Sequence, residues 1–274
     1  MSVKDILVAL STRSESDSGR EYALSMASHF GAKLTGVIYA VEPPTAFSMY
    51  PEFTSGLIER HRSEEKKATQ AAREKFVAAA SKAGVSNEFH SASGLLSGAT
   101  SDFVNRLRTA DIAVLAQHDD AVEHIGDVFL ESALFHSGRP VIVVPKGQTS
   151  NFSVGRVLIA WDGSAYAARA VASAMPLLPN AGDVTVLTVA EIGKPKDLRG
   201  NDLVKNLRLH GVNAGHSERR DADAAETIVD EAKKFGASLV VMGAYGHSRI
   251  REVVLGGVTR SMLKSMPSPV LLAH

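Results

Sequence analysis

The sequence predicts an α/β fold made of two tandem, doubly wound, mostly parallel five-stranded sheets with flanking helices. Three observations carry this prediction. Runs of strand length are apolar throughout, as in 112–116 (IAVLA) and 239–243 (LVVMG); helical segments separate them; and the succession occurs twice. Strands that are apolar on both faces and alternate with helices are typical of a parallel sheet covered by helices on both sides.

The repeat also predicts the domain boundaries. Four apolar runs recur in the same order, and the last of each set is introduced by a Pro-Val pair. The matched segments are 6–10 with 157–161, 31–41 with 182–190, 112–116 with 239–243, and 139–145 with 268–273. We therefore expect a first domain over 1–147, a second over 154–274, and a short polar linker at 151–153.

The two copies differ most after the second matched strand. The first copy carries an extra segment, 42–57, rich in aromatic residues and Met, and then a long helix over 58–83. The corresponding helix of the second copy is expected at about 197–209. The extra segment either covers an apolar ligand or partner surface or packs on its own domain, and its sequence does not distinguish these alternatives.

Composition narrows the function classes. Thirty basic residues balance thirty acidic ones, so the chain lacks the long-range field that drives binding to nucleic acids or anionic membranes. No cysteine is present, which excludes disulfides, thiolate catalysis and zinc–sulfur sites. The start of the chain has no signal-peptide pattern, and no apolar run approaches the length of a membrane span. We expect a cytoplasmic protein.

Glycines cluster where the fourth strand of the second copy should end. Gly243 and Gly246 precede, and Gly256 and Gly257 follow, a nine-residue segment, and a helix is predicted over 258–265. Glycine lets backbone N–H groups approach an anion, and a helix N-terminus favours phosphate. Ligands in open parallel sheets bind at this edge. The alternative is that these glycines are ordinary turn residues.

The spacing Gly243-x2-Gly246-x9-Gly256, followed by Val258-Thr259, resembles the nucleotide-binding signature of the universal stress protein family. The turn Asp162-Gly163-Ser164 resembles the family's first turn. The likeness is strong in 154–274 and covers 1–147 in outline, as in a tandem member. It implies a Rossmann-like fold related to adenine-nucleotide alpha hydrolases. It also implies that the nucleotide contacts Asp162, Gly163, Val189, Met242, Gly243, Tyr245, Gly246, Gly256, Gly257, Val258 and Thr259.

Two departures from the family pattern affect this interpretation. Gly257 stands where the family usually has Ser or Thr, so a hydroxyl contact to phosphate is missing and Thr259 is the candidate substitute. The first copy lacks the glycine cradle altogether. Ser11 aligns with Asp162, and residues 116–120 (AQHDD) replace the first glycine pair with carboxylates that would repel a triphosphate.

Two polar clusters have competing explanations. His118, Asp119, Asp120 and His124 could hold a metal ion, although a solvated loop explains them better, and no helical zinc pair is present. Asp221, Asp223 and Glu226 precede a predicted helix and are interpreted as N-terminal capping charges. We therefore assign no metal site and no catalytic residue.

The resemblance implies a stress-response protein that binds ATP or a related adenine nucleotide, with or without Mg²⁺, in its second copy. Because no general base is evident near the outer phosphates, we expect a sensor or regulatory module whose hydrolysis, if any, is slow. The alternatives are a nucleotide-free sensor or interaction module and an adenylating enzyme. Segments 140–144 and 269–272 should pair as the halves of an intramolecular pseudo-dimer, and a homodimer of whole chains stays open.

Overall fold

A computed structural model describes residues 2–12, 17–41, 51–117, 125–148, 151–190, 199–220, 222–244 and 257–274, with the backbone alone for 51–58 and 61. The first half, up to residue 148, contains five strands and four helices among these residues. In chain order they are β1 (Asp5–Ala9), α1 (Ser18–Phe30), β2 (Lys33–Val41), α2 (Pro51–Lys82), β3 (Asn87–Gly94), α3 (Leu96–Thr109), β4 (Ile112–Ala116), α4 (Ile125–His136) and β5 (Val141–Val144).

The second half, from residue 151 onward, repeats this order of strands and helices. Its described elements are β6 (Arg156–Ala160), α5 (Ala165–Ala174), a short 3-10 turn (Leu178–Asn180), β7 (Asp183–Ala190), α6 (Gly200–Leu209), β8 (Ala214–Arg220), α7 (Ala224–Phe235), β9 (Leu239–Gly243), α8 (Gly257–Lys264) and β10 (Val270–Ala273). The predicted α/β fold class is confirmed, and all four matched strand pairs are present.

The ten strands form one sheet in the order β3-β2-β1-β4-β5-β10-β9-β6-β7-β8. Each half is parallel internally, and the halves meet where β5 and β10 pair antiparallel, with Ile142 opposite Leu271. The pairing predicted between 140–144 and 269–272 is therefore present. We call this antiparallel pair the seam. Because both seam strands are entirely buried, the two five-stranded sheets share one continuous core.

Helices cover both faces of the sheet, as apolar strands require. One face packs against α1, α2, α5 and α6 and contains Tyr22, Phe76 and Leu207. The other packs against α3, α4, α7 and α8 and contains Phe103 and Met262. Adjacent residues of β1 divide between these layers: Ile6 and Val8 face the first, and Leu7 faces the second.

Some predicted boundaries need correction. Helix α2 begins at Pro51 rather than at residue 58, because proline is well suited to a first helical turn. Part of the predicted extra segment is therefore helical, and 42–50 lie outside the described residues. Helix α6 begins at Gly200 rather than near 197. The linker is not uniformly polar, since Phe152 is buried against Tyr22 of α1.

Candidate functional site

Three strands of the second half bring the predicted site residues to one edge of the sheet. Ala160, the last residue of β6, pairs with Leu187 of β7 on one side and with Met242 of β9 on the other. Asp162 and Val189 each follow these paired positions by two residues, and Gly243 follows Met242 directly. This carboxyl edge is where open parallel sheets bind ligands.

The turn after β6 uses its own polar groups. Asp162 Oδ1 accepts a hydrogen bond from the Ser164 N–H at 2.9 Å, and Gly163 adopts a φ of 75°, in the left-handed region that favours glycine. Ser164 Oγ then caps α5 by accepting from the Ala167 N–H at 3.1 Å. Two amides at the start of α5 are therefore satisfied internally, while Asp162 and Gly163 are exposed.

Gly243 has a packing role as well as its predicted role in the cradle. A Cβ added to it would lie 2.6 Å from the Ala167 nitrogen and 2.9 Å from the Tyr166 Cβ. Contacts this short are essentially excluded, so the end of β9 approaches the first turn of α5 only because residue 243 has no side chain. Gly243 is therefore required for packing against α5, and it is also a residue of the predicted phosphate-binding cradle.

Helix α8 begins at the same carboxyl edge, because a parallel connection from β9 to β10 must return along the sheet. Gly257 is its first residue and is exposed, and no atom of the described residues lies within 4 Å of an added Cβ. The first amides of a helix have no acceptor within the helix, and its dipole favours anions there. Val258 is half-buried and Thr259 is 3% exposed, so Gly257 is the exposed member of these first three helical residues.

Several predicted residues cannot be placed. Tyr245, Gly246, Gly256 and Asp221 lie outside the described residues, as does the cluster of His118, Asp119, Asp120 and His124. Within the described ranges no group of three His, Asp or Glu side chains could hold a metal ion. Asp223 caps α7 as predicted, by accepting from the Glu226 N–H at 2.9 Å.

The corresponding edge of the first half contains a buried carboxylate instead. Asp17 is 4% exposed and accepts hydrogen bonds from the N–H groups of Ser11 at 3.2 Å and Arg20 at 3.0 Å. It thereby caps α1 and contacts the residue that aligns with Asp162. A negative charge already stands at this helix start, where a phosphate would otherwise be favoured. Asp17 is absent from the residues predicted above, although an Asp directly before an amphipathic helix is a recognisable capping signal.

A cleft of about 410 Å³ lies beside α7 and is lined by Leu158, Thr185, Phe235 and neighbouring residues. Its charged groups are already paired: Glu231 contacts Arg219 Nη2 at 2.6 Å and Lys234 Nζ at 3.3 Å. The cleft therefore offers a ligand little unpaired charge. Among the described helices, none is long and apolar enough to cross a membrane.

The profile of the universal stress protein family matches residues 153–274. The match covers somewhat less than half of the chain, and over these residues the chain is similar to universal stress proteins. It is 28% identical over 178 residues to the universal stress protein Slr1230 of Synechocystis sp., which covers 59% of this chain and 57% of that protein. It is 36% identical over 47 residues to the universal stress protein MJ0577 of Methanocaldococcus jannaschii, or 17% of this chain and 29% of that one. Each match spans less than two thirds of the relative.

Solved structures of universal stress proteins share the fold. A universal stress protein from Archaeoglobus fulgidus superposes with a TM-score of 0.71 at 17% identity, and the alignment covers 99% of this chain and 96% of that one. A universal stress protein from Pseudomonas aeruginosa gives a TM-score of 0.60 at 14% identity, covering 99% and 93%. At these identities the similarity establishes the fold of both halves and does not identify a ligand.

Proposed function

We propose that this chain is a stress-response module of the universal stress protein family that binds ATP, or a related adenine nucleotide, at the carboxyl edge of its second half. The observation that carries the proposal is the start of α8, where Gly257 is exposed and an added Cβ would meet no described atom within 4 Å. Asp162 and Val189 lie at the same edge, on the neighbouring strands. Their positions suit the adenosine, while the helix start suits the phosphates.

The orientation of the bound nucleotide follows from which backbone N–H groups at the starts of α5 and α8 already donate hydrogen bonds to side chains. The start of α5 is closed by Asp162 and Ser164, so it is poorly suited to bind a phosphate chain. The start of α8 has no side-chain oxygen at its first position. We therefore place the phosphates toward Gly257 and the base toward Val189.

We propose a domain division at the linker, with residues 1–147 as a degenerate copy that does not bind nucleotide. The support is the buried Asp17, whose carboxylate already caps α1. The protein would then act by a change in affinity or assembly when the second half is occupied, rather than by turnover. Any ATP hydrolysis should be slow, since the sequence offers no evident general base near the outer phosphates.

Residue 257 provides the test, because its open surroundings accept any small side chain. ATP is titrated calorimetrically, with Mg²⁺ and separately with EDTA, into wild type, Gly257→Ser, Gly257→Ala and Gly257→Asp. The Asp variant should bind at least about tenfold more weakly, because a carboxylate a few Å from a phosphate costs about 1–4 kcal/mol. The Ser variant should bind more tightly than Ala, which is the control for added bulk alone.

Trp161 is the only tryptophan in the sequence and directly precedes Asp162, so its fluorescence gives an independent signal of occupancy. If wild type binds no adenine nucleotide at millimolar ATP with Mg²⁺, the proposal is wrong. Equal affinity of wild type and Gly257→Asp would refute the placement of the phosphates.

A further inference from the structure

Three aromatic side chains from distant parts of the chain pack against one another beside the candidate site, with edge-on and tilted ring contacts. They are Phe135 near the end of α4, His274 just after β10, and Tyr166 in the first turn of α5. The ring centroids of Phe135 and His274 are 4.5 Å apart, and those of His274 and Tyr166 are 4.6 Å apart. We call these residues the seam stack. Phe135 reaches the second half because β5 and β10 are antiparallel, so α4 ends where β10 ends.

The seam stack contacts the two residues that lead out of β9. His274 Nδ1 lies 3.1 Å from the carbonyl oxygen of Ala244, and the Ala244 N–H donates to the Ala273 carbonyl at 2.9 Å. The backbone carbon and Cβ of Tyr166, together with the Ala167 nitrogen, approach Gly243 so closely that residue 243 cannot carry a side chain. Tyr166 therefore contacts Gly243 and His274 contacts Ala244, which is fully buried.

We propose that Phe135, in the first half, is a positioning residue for the candidate site in the second half. It supports the His274 ring, which in turn holds Ala244 at the end of β9, the last described residue before the predicted glycine cradle. The ligand part of this inference rests on the proposed function, whereas the positioning of Gly243 and Ala244 does not. The first half, which fills its own helix start with Asp17, thereby contributes to the site of the other half.

The exposure of Phe135 and the geometry of its ring contact are consistent with a positioning role. Phe135 is 40% exposed, so burying its ring stabilises the fold less than burying a core phenylalanine would. Its edge-on contact with His274, at an interplanar angle of 65°, is of the kind that aromatic pairs prefer. Phe135 is therefore positioned to restrict a neighbouring ring while contributing less to the core than its size would allow.

The experiment uses the full chain and four variants. Phe135→Ala removes the ring, Phe135→Tyr keeps it, His274→Ala removes its partner, and Leu95→Ala truncates another exposed apolar residue of the first half, which is 63% exposed. Hydrogen exchange is measured without nucleotide on the peptide that contains Ala244, with a β1 peptide as reference. Exchange at Ala244 should rise about tenfold in Phe135→Ala and stay unchanged in Phe135→Tyr and Leu95→Ala.

ATP titration of the same variants tests the consequence for the site. Phe135→Ala should weaken binding about three- to tenfold, and adding it to His274→Ala should have no further effect, because Phe135 acts through His274. Unchanged exchange at Ala244 in Phe135→Ala overturns the inference, as does raised exchange with unchanged ATP affinity. If wild type binds no ATP, the proposed function fails, while the exchange result still decides whether Phe135 positions Ala244.

Discussion

Tyr39 of β2 stacks on Phe129 of α4, with ring centroids 5.4 Å apart and an interplanar angle of 29°. Valines occupy both corresponding positions of the second half. Tyr39 has the place along β2 that Val189 has along β7, and Phe129 precedes Val141 by as many residues as Val258 precedes Val270. The first half therefore fills with two rings a region where the second half has two small side chains.

Hydrogen bonds lock the ring of Tyr39 in this position. Its hydroxyl donates to Asp102 Oδ2 at 2.6 Å, and Arg106 Nε donates to the same oxygen at 2.8 Å. Burial, together with the hydrogen bond to the Asp102 carboxylate, raises the pKa of Tyr39 well above its usual range. Phe103 packs edge-on against both rings. The rings of Tyr39, Phe129 and Phe103 thus fill this part of the carboxyl edge of the first half.

Replacing Phe129 by Val should destabilise the protein and leave nucleotide binding intact. Truncating a phenylalanine that is 7% exposed leaves a cavity, so the free energy of unfolding should fall by about 2–4 kcal/mol in urea titrations. ATP affinity should stay at the wild-type value, because Phe129 lies in the first half and the proposed ATP site lies in the second. Tyr39→Phe is the control: it keeps the ring and removes one donor, at about 1–2 kcal/mol. A loss below that of Tyr39→Phe would contradict the packing argument.

The inner strands could be predicted from the sequence because burial on both faces makes them apolar throughout, as in β4 and β9. The edge strands β3 (NEFHSASG) and β8 (AGHSERR) could not be located from the sequence, although a fifth strand was expected in each half. An edge strand has one neighbour and a largely solvated surface, so its side chains lack both the apolar run and a clear alternation. Their place in the sheet is fixed by pairing with β2 and β7.

The candidate site was predictable only in part, for a related reason. The Asp162 turn and the Gly257 helix start are local features, and the sequence indicates both. The approach of Gly243 to Tyr166 and the contact of Phe135 with His274 join residues far apart in the chain, and no local pattern encodes them. Asp17 differs from both, because its capping position is local and was overlooked.

Gly243 and Gly257 give a matched pair that separates packing from ligand binding. Gly243→Ala forces a methyl group against the backbone of α5, so the free energy of unfolding should fall by about 1–3 kcal/mol in the absence of nucleotide. Gly257→Ala meets open space and replaces glycine in a helix, so its stability should be unchanged or about 1 kcal/mol higher. Urea denaturation followed by circular dichroism measures both. Equal stabilities of the two variants would refute the close approach.

The linker should be a structural anchor rather than a flexible tether. Phe152 is 7% exposed, packs against Tyr22, His29 and Phe30, and its N–H donates to Ser25 Oγ at 3.1 Å. Phe152→Ala should therefore lower the free energy of unfolding by about 3–4 kcal/mol in urea titrations. Ser25→Ala, which removes only the hydroxyl acceptor, should cost about 1 kcal/mol. Wild-type stability of Phe152→Ala would show that the contact contributes nothing.

Glu131 of α4 should make stability depend on pH. Burial, and secondly the charge of Asp127, raise the pKa of Glu131 from 4.5 to about 7 in the folded protein. Between these values the folded chain binds more protons than the unfolded chain, so the free energy of unfolding falls as pH rises from 4.5 toward 7. The loss is complete above the folded pKa and absent below the unfolded one.

Glu131→Gln removes this carboxyl group while keeping its size. Because the group is little less than half buried, solvent screening reduces the expected gain in stability to the order of 1 kcal/mol at about pH 8. At about pH 4, where both states of the wild type are protonated, the variant should have no advantage. Urea titrations across this range measure the difference, and Glu64→Gln, on the exposed surface of α2, is the control for removing one negative charge. A gain from Glu131→Gln that is the same at both pH values would show that burial of this carboxylate is not its cause.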